Sequence, residues 1–180
     1  MSCDILPSDV PGPHHKGDVV AILNDGWDLM IAHPPCTHLA VSGAKHFAKK
    51  IADGRQQAAL DFVQTLMDAP IPRICIENPV SIISTRIRKP DQIIQPWQFG
   101  DQAQKTTCLW LKNLPLLTPT KIVDKGKFYV SPSGKRLPAW YGDASVNGKK
   151  LAYGSEAMKK IRSTTFSGIA DAMAAQWGAV

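Results

Sequence analysis

A chain of 180 residues with 44% apolar and 20% charged side chains has enough apolar material for one folded domain with its own core, which excludes the disordered, collagenous and disulfide-scaffold classes. No apolar run reaches the roughly 18 residues of a membrane span, and Met1-Ser-Cys-Asp-Ile-Leu-Pro7 has neither the basic nor the apolar region of a secretion signal, so a soluble, cytoplasmic protein is expected. The net charge of +6 is uneven, because residues 121–162 alone carry +7; such a patch suits phosphate backbones, or else a solvated loop region.

In chain order, Asp28 to His33 is the first strand, short and continuously apolar as a buried parallel strand is. It runs into the rigid turn Pro34-Pro35, which presents Cys36. A helix follows over Asp53 to Ala69, where Ala58, Phe62, Leu66 and Ala69, with Ala59, Val63 and Met67 alongside, form a broad apolar stripe closed by Pro70 and Pro72. Arg73-Ile-Cys-Ile-Glu-Asn-Pro79 is a second buried strand that ends in Glu77 and Asn78. Strand, helix and strand make a βαβ unit, and both strand ends then share the carboxyl edge of a parallel sheet, where open α/β folds bind ligands.

Gln92 to Gln95 and Thr106 to Leu111 read as later strands, and Phe166 to Trp177 as a terminal helix with Ile169, Met173 and Trp177 at helical spacing. Between them, residues 123–153 mix glycines and prolines with Lys, Arg, Phe128, Tyr129, Trp140, Tyr141 and Tyr153. Basic residues interleaved with aromatics fit contact with phosphates and bases, while glycine-rich loops also hold aromatics for packing alone. The organisation expected is one domain over 1–180 with a basic insertion at 123–153.

The chemistry-bearing residues are few. The cysteines at 3, 36, 75 and 108 form no C-x-x-C pair, which fits reduced thiols. Glu77 is one of two glutamates, and a carboxylate at the end of a buried strand generally has a partner or a task. A thiol at one strand end and an acid at the next suit covalent chemistry on a heterocycle. His33, Cys36, His38 and His46 do not have ordinary zinc-ligand spacing. The zinc nucleoside deaminases need a second cysteine after Pro-Cys-x-x, where this chain has Leu39.

Pro34-Pro35-Cys36 with Glu77-Asn78-Pro79 resembles the Pro-Cys and Glu-Asn-Val signatures of the DNA cytosine-5 methyltransferases. The resemblance implies a Rossmann-like methyltransferase fold with a mostly parallel sheet. It implies S-adenosyl-L-methionine as cofactor and DNA as partner. In that family the thiolate adds to carbon 6 of a flipped cytosine and carbon 5 then accepts the methyl group, while the glutamate contacts ring nitrogen 3 and the exocyclic amine. Cys36 is then the nucleophile, Glu77 the acid and Asn78 its orienting neighbour.

The same resemblance puts Asp4 at the cofactor ribose, Asp18 at the adenine amine, and Pro34 and Pro35 against the cofactor. Lys105 would approach the base or its phosphate, with Lys135, Arg136, Trp140, Lys149 and Lys150 along the nucleic acid. It is closest to compact methyltransferase-like proteins common on phage genomes. The chain begins after the family's opening strand and Phe-x-Gly-x-Gly loop, so it reads as N-terminally truncated, and the basic insertion stands where the family has a target-recognition domain. A homodimer or a partner chain would complete the cofactor pocket. The alternative from the same residues is a catalytically inactive truncated homologue that binds DNA or a pyrimidine nucleotide.

Overall fold

The structure, a computed structural model, describes residues 1–131, 133–138, 145–146, 149–150, 155, 157–158, 163 and 165–178, the pairs at 145–146 and 149–150 by their backbone alone. The chain forms two compact units, Met1–Gln92 with Cys108–Pro115, and Ile93–Thr107 with Leu116–Val180.

The first unit opens with β1 (Ser2–Asp4) and β2 (His14–Lys16), which pair in parallel as a sheet of their own. A 3-10 turn, Val19–Ile22, leads to β3 (Leu29–Ala32). After the Pro-Pro loop come a second 3-10 segment, Val41–His46, then α1 (Phe47–Ala52) and α2 (Arg55–Met67). The break between the two helices is the Asp53-Gly54 turn, where Gly54 has φ 76°, a backbone that L side chains rarely adopt. Next come β4 (Arg73–Pro79) and the single-turn helix α3 (Ile83–Arg86).

β4 lies parallel to β3 with Leu29, Met30, Ile31 and Ala32 opposite Arg73, Ile74, Cys75 and Ile76. With β5 (Gln92–Ile94) and β6 (Thr107–Lys112) they make a four-stranded sheet in the order β3-β4-β6-β5. The core of the first unit gathers Leu39, Val63, Leu66, Ile74, Ile76, Ile83 and Trp110. The face of α2 that is buried carries Gln56, Leu60, Val63 and Leu66. Of the expected stripe, Val63, Leu66 and Ala69 are buried and Ala59, Phe62 and Met67 half-buried against the core, while Ala58 is exposed. Each fully buried aliphatic side chain adds about 1.5–3 kcal/mol of transfer energy. Trp110, buried in β6, donates its Nε1–H to the Arg88 carbonyl at 2.8 Å, so its one polar atom is satisfied.

In the second unit a 3-10 turn, Pro96–Gln98, is closed by a Gln95/Gln98 capping box. A hairpin follows, β7 (Phe128–Val130) against β8 (Arg136–Pro138), with Gly134 at φ 77° in its turn. β9 (Ser145–Val146) and β10 (Lys149–Lys150) form another antiparallel pair. The terminal helix α4 (Ser167–Trp177) buries Ile169, Ala172, Met173 and Trp177, as the spacing predicts. Its first turn is fastened by Asp101, whose Oδ2 accepts the Gly168 N–H at 3.0 Å.

The expected Rossmann-like methyltransferase fold, with one mostly parallel sheet, is not what the chain builds. It is a small α/β protein whose strands, among the described residues, are divided among one four-stranded and three two-stranded sheets, two of the latter antiparallel. The cause lies in the strands themselves. β1 and β2 are three residues each, Ser-Cys-Asp and His-His-Lys, and lack the apolar character needed on both faces of an interior parallel strand. Among the described residues, no helix is long and apolar enough to cross a membrane.

Candidate functional site

The parallel register of β3 and β4 determines what can meet. Four apolar-run residues of β3 pair with four of β4, so the next residues, His33 and Glu77, come side by side at the carboxyl end. His33 Nδ1 lies 3.0 Å from Glu77 Oε2; the histidine side chain is 42% exposed and the glutamate 13%. A ring nitrogen held by a carboxylate leaves the other nitrogen to exchange protons, the arrangement used to activate nucleophiles.

Cys36 stands exposed three residues further on. Its loop begins with buried Pro34 and exposed Pro35. The Cys36 carbonyl accepts the N–H groups of Leu39 at 3.0 Å and Ala40 at 2.9 Å, closing a single tight turn. Beyond the turn, residues 39–41 zip antiparallel onto 80–82: Val41 N–H donates to Val80 O and Ile82 N–H to Leu39 O, around an Ala40–Ser81 bridge. The segment that leaves β4 therefore anchors the one that leaves β3.

Asn78 is turned towards the loop that leaves β3. It is 1% exposed, and its Nδ2 donates to the Pro34 carbonyl at 2.9 Å. His33 is the residue that holds the glutamate, and sequence reasoning missed it. The signal was present: His33 and Glu77 each follow a four-residue run that pairs in register.

The other thiols differ from Cys36 in setting. Burial, then the charges of Glu77 and Asp91, pushes the Cys75 thiol well above the usual range. Cys108 is raised by burial and by Glu77. Both remain protonated at neutral pH and belong to the core.

Asp4 lies on β1, outside the four-stranded sheet, and its Oδ1 accepts the Leu6 N–H at 2.8 Å. Asp18 caps the Val19–Ile22 turn, its Oδ1 accepting the Val20 N–H at 3.0 Å. Both carboxylates raise the pKa of Cys3, after burial, so they sit around one thiol. Of the two prolines, Pro34 is buried and Pro35 exposed. Among the described residues, no group of three His, Cys, Asp or Glu side chains has the arrangement of a metal site.

In the second unit, the Lys105 ammonium lies 5.9 Å from the centre of the Phe166 ring and Lys125 lies 5.1 Å from that of Trp97. Arg136 stacks on Phe128 across the β7–β8 hairpin, 4.1 Å from its ring centre. Lys135 is exposed beside it. Cations on aromatic faces suit phosphates and stacked bases alike. Trp140, Tyr141 and Tyr153 lie outside the described residues, as do the side chains of Lys149 and Lys150.

Comparison of the chain with protein-family models, with curated proteins and with solved structures finds no match.

Proposed function

We propose that the chain is a cytoplasmic, DNA (cytosine-5) methyltransferase-like protein that acts on a flipped cytosine through the thiol of Cys36. The observation that carries this reading is the meeting, at one end of a parallel strand pair, of the loop bearing an exposed cysteine with a carboxylate tied to a histidine. In the proposed reaction His33 accepts the Cys36 proton and the thiolate adds to carbon 6 of the ring. Glu77 steadies ring nitrogen 3 and the exocyclic amine. S-adenosylmethionine is the proposed methyl donor, with Asp4 and Asp18 at its adenosine half. The Arg136–Phe128 hairpin and Lys105 are the proposed contacts to DNA, and a second copy or a partner chain is the proposed complement of the cofactor pocket.

Duplex DNA containing 5-fluorocytosine tests this. Incubated with the protein and S-adenosylmethionine, it is expected to give an adduct resistant to denaturation that Cys36→Ser abolishes. A second reading is an inactive homologue that binds DNA or a pyrimidine nucleotide, and the position of Asp4 on a separate two-stranded sheet favours it. That reading prevails if no adduct forms, if calorimetry detects no heat with S-adenosylmethionine or S-adenosylhomocysteine, and if Cys36→Ser binds DNA as the wild type does.

A further inference from the structure

Three buried side chains from three different elements point their donors at the backbone of one loop. Lys50 of α1, 8% exposed, donates from Nζ to the Thr37 carbonyl. Gln56 of α2, 4% exposed, donates from Nε2 to the His38 carbonyl at 3.3 Å. Asn78 of β4 holds the Pro34 carbonyl. With the Cys36 carbonyl taken by Leu39 and Ala40, the carbonyls of residues 34, 36, 37 and 38 are all held.

Lys50 is the costly member of this set. An ammonium removed from water is destabilising unless it is paired, and among the described residues no carboxylate forms an ion pair with it. Its other neighbours are the Phe47 ring, 6.0 Å to the centroid, and Gly43, where an added Cβ would sit 3.6 Å from Nζ. A methionine would fill the same volume without desolvating a charge, so packing alone does not call for lysine here. What lysine adds is a charged donor to a carbonyl next to Cys36, and such bonds are roughly twice as strong as neutral ones.

We infer that Lys50 is a positioning residue, which together with Gln56 and Asn78 clamps the Pro34–His38 loop and fixes the direction in which Cys36 is presented. The inference rests on the reading of Cys36 as the nucleophile; the clamp itself is independent of any substrate. A loop held by side chains from two helices and a strand is preorganised for attack, because its conformation is set before a base arrives.

Hydrogen exchange resolved by residue, on the full chain, tests it. In Lys50→Met the Leu39 and Ala40 amides, which close the turn on Cys36, are expected to exchange about tenfold faster or more, with the Ile74 and Ile76 amides of β4 unchanged. The rate of Cys36 alkylation by iodoacetamide is expected to shift in the same variant. Lys50→Arg, which keeps a charged donor, is expected to restore both. Unchanged exchange at Leu39 and Ala40 in Lys50→Met, or an equal rise in β4, overturns the inference. Neither readout needs DNA or cofactor, so a clamp that behaves as expected in a protein that forms no 5-fluorocytosine adduct would sink the proposed chemistry alone. Adduct formation with unchanged exchange would sink the clamp alone.

Discussion

Cys36 and Cys75 show how position determines what a thiol does. Cys36 is exposed on a loop whose carbonyls at residues 34, 36, 37 and 38 accept hydrogen bonds, while Cys75 is fully buried in β4 with the carboxylate of Glu77 two residues away. Burial and that negative charge both disfavour the thiolate of Cys75, so its pKa is raised in the folded chain. Below the ordinary thiol pKa of about 8.5 both states hold the proton and stability is unaffected. As pH rises from there towards the raised value, the unfolded chain gives up a proton that the native chain retains, and stability falls. Denaturant midpoints measured between pH 7 and 10 are therefore expected to decline more steeply for the wild type than for Cys75→Ala. Equal slopes would mean that Cys75 ionises in the folded chain as easily as in the unfolded one.

At the scale of elements, α4 has a tightly fitted start. Gly168 lies where any Cβ would overlap the Phe99 carbonyl and crowd Asp101, which caps the helix by accepting the Gly168 N–H. The other end is fixed by Gln176, which accepts the Thr118 N–H and donates to the Thr118 carbonyl, both at 2.8 Å. Gly168→Ala must shift backbone rather than a flexible side chain, so a loss of about 2–4 kcal/mol is expected on chemical denaturation, well beyond an ordinary surface substitution. A midpoint within error of wild type would mean that the Phe99–Asp101 turn yields freely. Close backbone packing thus requires glycine at position 168.

For the whole molecule the governing feature is the separation of charge. Residues 121–162 carry +7 in a chain whose total is +6, and this segment belongs to the second unit, while Cys36, Glu77 and His33 belong to the first. If the basic unit holds DNA through its phosphates, affinity is expected to fall linearly with salt on logarithmic axes. Replacing Lys135 or Arg136 by alanine should lower that slope by about 1 for each phosphate that is no longer neutralised. Filter binding of duplex DNA across a salt series measures this; slopes that match wild type in both variants would remove the hairpin from the interface.

What was legible in the sequence follows from periodicity. The runs Leu29–Ala32 and Arg73–Ile76 form strands, the stretch between them turns helical, and Ile169, Met173 and Trp177 face a core, because apolar spacing dictates which backbone can bury them. The pairing of Pro34-Pro35-Cys36 with Glu77-Asn78 as a candidate site was equally open to reading. Tertiary structure decided the rest. Three-residue polar strands could join a large parallel sheet or stand apart, and β1 and β2 stand apart, so the Rossmann-like expectation fails there. Glu77 is held by His33, Asn78 turns to Pro34, and Lys50 and Gln56 reach the loop around Cys36. Those partnerships join residues 13 to 44 positions apart. They depend on strand register and side-chain direction, which are fixed only when the helices and strands pack, whereas apolar periodicity is written locally along the chain.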